Sequence, residues 1–497
     1  MSLIPLPIPP GVFRNGTNYQ SSGRYWDADL VRFSEGVLRP MRGWAKIADD
    51  PVVGVPRGLL AWKDEDGDRW VAVGTVGEDS RLYVFAGGAY VDITPIGLQA
   101  GLVDALSVDG YGAGAYGSGT YSGPRVLPDV TPASMWQFDT WGQYLVACMS
   151  GDGKLYQWQV NPAQKAQLIE NAPVDCTGCF VTPERFLVAY GADGNPRLVR
   201  WSDQENIDSW APLGTNRAGD KEVQTNGTLI AAIKTKKETV LFTEVDTHVM
   251  RFIGGTLIYS IDRLSSASGI VGPRAGVMVD RGIYWMGVNG FFYYDGEVKP
   301  LPSEVSDYVF SDINQAQISK VYAGHNSSFG EVWWFYPSND SNEINRYVIY
   351  NYRENHWMIG TLIARTGWED AGVYDYPIAS DVDGYLYSHE FGWTADGEAI
   401  TSQRRIEAGP VEIRPGNQIM HVNQMLPDER TGGQAQIVLK SKFTPEGVYT
   451  SHGPYSLSEY TDVRITGRMI ALEIQGAVDD DWRFGTLRLD VAPGGRR

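Results

Sequence analysis

Cysteine is scarce: three residues in 497, at Cys148, Cys176 and Cys179. That number cannot build a disulfide framework. Histidine is scarce too, with His248, His325, His356, His389, His421 and His452 scattered without HxH or HExxH spacing, so no helix-borne zinc site is written in the chain. A GxSxG elbow and a Walker loop are missing, which removes the usual markers of nucleophilic and nucleotide chemistry. No apolar run reaches membrane-spanning length. The start, MSLIPLPIPPGVF, is interrupted by Pro5, Pro7, Pro9 and Pro10 and lacks the basic region of a signal peptide. We therefore expect no membrane segment and folding in a reducing cytoplasm. Positive charge is also short, 42 Lys and Arg against 60 Asp and Glu, for a net charge of −18. Gripping a DNA duplex takes clustered cations. An acidic surface serves solubility, and it also suits a wall that nucleic acid passes without adhering.

Aromatic residues and turn formers are plentiful: 16 Trp, 27 Tyr, 57 Gly and 27 Pro, with 43% hydrophobic residues. This composition favours many short strands and tight turns over helices. A short aromatic unit recurs as SGDGKLYQW at 150–158, GADGNPRLVRW at 191–201, GVNGFFYYDG at 287–296 and SDVDGYLYSH at 380–389. Each enters a strand-compatible run through Asp-Gly or Asn-Gly, a strong hairpin signal. Four strand-like runs over 57–95 form the first candidate blade, and further units follow over about 134–170, 177–212, 228–265, 275–302, 318–361 and 364–395. The pattern predicts an all-β chain: a β-propeller of about seven blades over 51–395, after an extended proline-rich arm at 1–50 and before a small antiparallel β domain at 396–497. The arm is a candidate to pair with the last domain, or with the first or last blade. A Gly/Tyr-rich insertion at 96–131 interrupts the propeller, and the best helical candidate is 303–320 with Ser303 as its N-cap.

Candidate chemistry is sparse. Cys176 and Cys179 have CxxC spacing, but no second pair completes a metal site, and a structural role is expected. Asp64, Asp66 and Asp68 alternate around Gly67, a candidate calcium turn, and Asp381 and Asp383 precede Gly384 in a similar run. Glu331, Asp370 and Glu390 lie near Trp333, Trp368 and Trp393, the residue types a glycosidase would use, although these tryptophans also suit packing between blades. Lys234, Lys236 and Lys237 form a basic hairpin tip able to touch DNA transiently. Tyr111, Tyr116 and Tyr121 in the Gly-rich insertion are candidates for contact with a partner or a lumen.

IPPGVFRNGT at 8–17, GRYWDADLVRF at 23–33 and LRPMRGW at 38–44 resemble the start of the tail nozzle proteins of short-tailed, P22-like bacteriophages, the packaged-DNA stabilisation group. The resemblance continues through 268–296, RYVIYNYRENHW at 346–357 and WRFGTLRLDVAPGGRR at 482–497. It implies a structural virion protein built on a β-propeller, located in the tail and assembled in the host cytoplasm. It implies a homo-hexameric ring beneath the portal and its adaptor, contact with tail fibre or needle proteins, and transient contact with double-stranded DNA. It implies no catalytic residue and no cofactor. The alternative is a propeller-type tail module that binds or cleaves host cell-surface glycans.

Overall fold

A computed structural model describes residues 3–107, 130–255, 257–362, 365–412, 418–428, 434–457 and 460–495. Within them, seven four-stranded antiparallel sheets follow one another as blades. Their innermost strands are Val55–Lys63, Trp136–Trp141, Gly178–Val181, Leu229–Lys234, Gly276–Val279, Tyr322–Asn326 and Gly367–Glu369. Each packs beside the next, and Gly367–Glu369 of blade 7 packs beside Val55–Lys63 of blade 1. The sheets thus close into a β-propeller.

The recurring aromatic unit has one place in this plan. In blades 2, 3, 5 and 7 it forms the turn from second to third strand, as between Tyr144–Met149 and Leu155–Trp158 or between Leu187–Tyr190 and Leu198–Trp201. Asp193 and Gly194 both take positive φ there, 53° and 73°, the backbone that Asp-Gly hairpins supply at little cost. The blades are then locked by tryptophans on their inner strands. Trp136 Nε1 of blade 2 donates to Thr75 O of blade 1 at 3.0 Å, and Trp368 Nε1 of blade 7 to His325 O of blade 6 at 2.8 Å. Trp334, on the second strand of blade 6, donates to Ala275 O at the entry to blade 5. All three are buried, so each joins a saturated indole N–H to large apolar contact, with a truncation cost of about 3–5 kcal/mol. Gly324 leaves room for this: a Cβ there would lie 2.5 Å from the Trp368 ring.

Residues 3–50 are largely extended apart from a 3₁₀ turn at Asn18–Ser21, and their strands are paired rather than free. Leu3–Leu6 pairs with Leu487–Pro493 at the edge of a four-stranded sheet completed by Met420–Leu426 and Thr461–Gly467. Pro5 is tolerated because an edge strand can spare an N–H. Tyr25–Asp29 pairs with Arg405–Ala408 at the edge of a five-stranded sheet that continues through Met469–Gly476, Ala435–Lys442 and Thr450–Ser456. Val422, Met425, Ile437, Leu439, Ile465 and Ile474 of these two sheets are buried in one shared core, so the sheets form a sandwich, these residues being the inward half of an alternating pattern. Trp44–Lys46 then becomes the outermost strand of blade 7, paired with Leu386–His389. The helical expectation at 303–320 needs correction. The helix is Ser306–Asp312 with Val305 at its N-cap, followed by a 3₁₀ turn Gln315–Lys320 capped by Asn314. Ser303 Oγ instead accepts from Val305 N.

The closing strand enters through Gly43, where a Cβ would meet the backbone of Thr394 at 2.0 Å. Gly43→Ala is expected to lower stability by about 1–3 kcal/mol through overpacking at the seam. Thermal and denaturant unfolding measure this, and an unchanged midpoint would contradict the role given to the seam.

Candidate functional site

The propeller axis and its mouth hold the chain's most unusual side chains. Arg274 precedes the inner strand of blade 5 and reaches across to blade 2, where its Nε and Nη2 donate to Trp136 O at 3.1 and 2.7 Å. Gln137 Nε2 of blade 2 donates back to Pro273 O. Further along the axis Lys234 Nζ of blade 4 meets Asp139 Oδ2 of blade 2 at 2.5 Å, and Asp139 also accepts Val181 N of blade 3 at 2.7 Å. Polar struts from four blades therefore span the centre. Each satisfies a group that burial would otherwise penalise.

Glu369, on the inner strand of blade 7, is half-buried and has no hydrogen-bond partner among the described residues. Burial pushes its carboxyl up to about 8, against the opposing pull of the Arg274 guanidinium.

At the face where the inner strands begin, two fully buried cations hold the 96–107 segment. Arg57 binds Glu343 at 3.0 and 2.5 Å and donates to Val103 O, and Lys320 pairs with Asp104 and donates to Asn342 O at 2.6 Å. Gln317 Oε1 accepts Ala105 N. Burial raises the Glu343 carboxyl, but Arg57 and Lys320 outweigh it and hold it below the usual range. Just beyond, Leu106–Ser107 pairs with Val130–Thr131 as a short stem. Tyr111, Tyr116 and Tyr121 of the Gly/Tyr-rich insertion lie outside the described residues.

The residues singled out from sequence are not gathered into one site. Lys234 reaches Asp139 with a side chain that is still 39% exposed, and Lys236 and Lys237 are exposed beyond it. The Asp64, Asp66, Asp68 turn closes a hairpin rather than a calcium cage. Asp64 spends its oxygens on Asp68 N at 2.8 Å and Trp70 Nε1 at 2.9 Å, and the Trp70 bond leads in holding its carboxyl below the ordinary value. Among the described residues no three His, Cys, Asp or Glu side chains are set to hold a metal. The three cysteines are buried between blades 2 and 3, and burial raises the Cys176 thiol far from reactivity.

The carboxylates considered for sugar chemistry are engaged as well. Glu331 chelates Arg32 at 3.0 and 3.1 Å, and Glu390 joins it at 2.5 Å, all three being buried. Trp333 and Trp368 are buried and stacked on each other at 5.5 Å. A cleft of about 500 Å³ opens beside Trp44, Arg365, Asp381 and Tyr387. Both oxygens of Asp381 already accept bonds, from Tyr385 N and Tyr387 Oη, and Asp383 also lines the cleft.

Arg274, Glu369, Lys320 and Arg57 went unnoticed in the sequence. Their only signal is a single charge inside or beside a strand-like run, as in GPRAGVMV or ISKVYAG.

No family model matches this chain. No curated protein matches it either. Among solved structures it is similar to selenomethionine-substituted virginiamycin B lyase from Staphylococcus aureus, at 9% identity over 67% of this chain and 94% of that one, with a TM-score of 0.37. A catalytically inactive form of that lyase with quinupristin gives 9% identity, 68% and 97% coverage, and a TM-score of 0.36. Likeness this distant carries no inference about chemistry.

Glu369 gives a pH test. A carboxyl raised in the folded state binds its proton more tightly there than when unfolded, so its contribution is present below about pH 4.5 and lost as pH climbs towards 8. Glu369→Gln should match the parent at low pH and exceed it by about 1–3 kcal/mol above pH 8, the partial exposure of Glu369 keeping the gain below the full shift. Denaturant titrations across this range check it; a constant difference would refute the assignment.

Proposed function

We propose that this chain is a structural subunit of a short-tailed phage tail nozzle. It forms a hexameric ring below the portal and adaptor that extends the DNA channel, helps retain packaged DNA and conducts it at ejection, without catalysing a reaction. The observation that carries this reading is where the nozzle-like segments meet. Val12 N donates to Trp357 O, Leu30 N to the Tyr347 hydroxyl, and Leu38 pairs with Phe484. Phe291 packs on Trp357 with centroids 4.7 Å apart. Stretches separated by hundreds of residues thus build one junction between propeller and sandwich, so the resemblance follows a three-dimensional unit rather than scattered words.

The axis adds a constraint. Arg274, Gln137 and Lys234 span the propeller centre, so a duplex cannot thread one protomer. In this reading the bore lies between protomers, with each rigid disc as a wall segment and a heterologous interface repeated around the ring. Six copies at −18 each carry roughly −108 formal charges, and any share facing the bore repels DNA while it slides. The glycan-cleaving alternative has two of its three candidate carboxylates, Glu331 and Glu390, tied to Arg32.

Negative-stain microscopy of the purified protein is expected to show six-fold rings whose opening admits duplex DNA. Monomers that hydrolyse host polysaccharide would overturn the proposal.

A further inference from the structure

Blade 4 carries an exposed feature that neither the fold nor the conduit uses. Its strands Leu229–Lys234 and Thr239–Thr243 form one hairpin, and Thr247–Phe252 and Tyr259–Ser265 form the next. Because the four strands alternate in direction, both tips emerge at the same end of the sheet. One tip presents Lys236 and Lys237, both exposed and neither ion-paired among the described residues. The other presents Phe252, Ile253 and Leu257, exposed by 37%, 54% and 71%. The two tips are tied by the Arg251–Glu238 ion pair at 2.7 Å, and Glu238 also accepts the Tyr294 hydroxyl, so that carboxylate is engaged; Glu184 of blade 3 lies near the Tyr259 hydroxyl.

The apolar tip stands on a firm base. Ile253 N donates to Ile258 O at 3.0 Å. Phe252 packs edge-on against buried Tyr259 at 5.7 Å and lies 6.1 Å from buried Phe186 of blade 3. Gly254 and Gly255 have φ of 68° and 73°, backbone that glycine adopts at little cost. The result is a convex apolar knuckle with a basic shoulder.

We propose that this end of blade 4 is a membrane-contact tip, with Ile253, Leu257 and the edge of Phe252 entering the interfacial layer of an anionic bilayer while Lys236 and Lys237 pair with lipid phosphates. Charge complementarity selects this occupant. Apolar groups that protrude beside cations suit a headgroup layer over acyl chains. DNA would engage the lysines and leave Leu257 in water. The chain's net charge of −18 repels an anionic surface elsewhere, so it also orients the contact. This inference stands apart from the conduit, since rings can form whether or not the tip binds lipid.

The test is co-sedimentation of the full chain with vesicles of phosphatidylcholine, alone or with about a quarter phosphatidylglycerol. Binding only to the anionic vesicles, weakened by salt, is expected. Leu257→Asp and the pair Lys236→Glu with Lys237→Glu should each reduce it by about tenfold or more, at unchanged melting temperature and oligomeric state. The proposal fails if anionic vesicles are not bound at low salt, or if binding survives either change. It fails equally if Leu257→Asp breaks subunit assembly, which would make the tip a contact between copies. Duplex DNA bound through the lysines with no need for Leu257, in place of vesicles, would also refute it.

Discussion

A closed ring of blades has one seam, and here that seam is closed by Trp44–Lys46, a strand from the opposite end of the propeller sequence. It gives blade 7 its fourth strand and so covers the edge of Leu386–His389, which would otherwise be unpaired. The strand is held on several sides. Trp44 stacks on His389 at 5.3 Å, Arg365 lies over the Trp44 ring, and Gly43 N donates to Gly392 O. The residues before it are thereby committed: after pairing in both sheets of the C-terminal sandwich, the chain has to reach blade 7. One segment therefore sews sandwich to propeller and closes the propeller on itself.

Buried charge marks the same route. Arg32 sits in the hairpin of Val31–Ser34 and Val37–Pro40, yet its partners are Glu331 in blade 6 and Glu390 after blade 7. Phe329 covers the guanidinium at 3.8 Å, while Trp333 Nε1 and Asn326 Nδ2 donate to Glu331 Oε2 and Glu390 Oε1, oxygens that Arg32 also binds. The cluster is not fully bonded, since Glu390 Oε2 and Asn326 Oδ1 are buried without a partner among the described residues, but breaking its ion pairs would leave a lone buried charge, which is costly. Arg57 and Lys320 do the same work at the mouth, where they hold the 96–107 segment across the disc.

The propeller was legible in the sequence because its signals are local. Asp193-Gly194 sets a turn by backbone preference alone, and runs such as LVAY or GIYWMG carry the strand pattern within a few residues. What stayed hidden depends on partners distant in the chain. Nothing around Leu3–Leu6 names Leu487–Pro493 as its mate, and nothing around Lys234 reveals Asp139 in another blade. Glu331 beside Trp333 looked like sugar chemistry because carboxylate and indole are the same groups in a catalytic cleft and in a buried ion cluster. Only burial separates the two uses, and burial is set by the third dimension. The tip at Phe252–Leu257 hid for the opposite reason: apolar residues in a β-chain read as core until the fold leaves them outside.

If one segment both closes the ring and joins the sandwich, the two parts should open together. Native-state hydrogen exchange followed by mass spectrometry tests this most directly. Amides of the seam (Trp44–Lys46 and Leu386–His389), of blade 6 at His356–Thr361, and of the sandwich at Leu487–Pro493 are predicted to exchange through one common opening with the same free energy. Sandwich amides that exchange at much lower free energy, while the seam stays protected, would contradict the account.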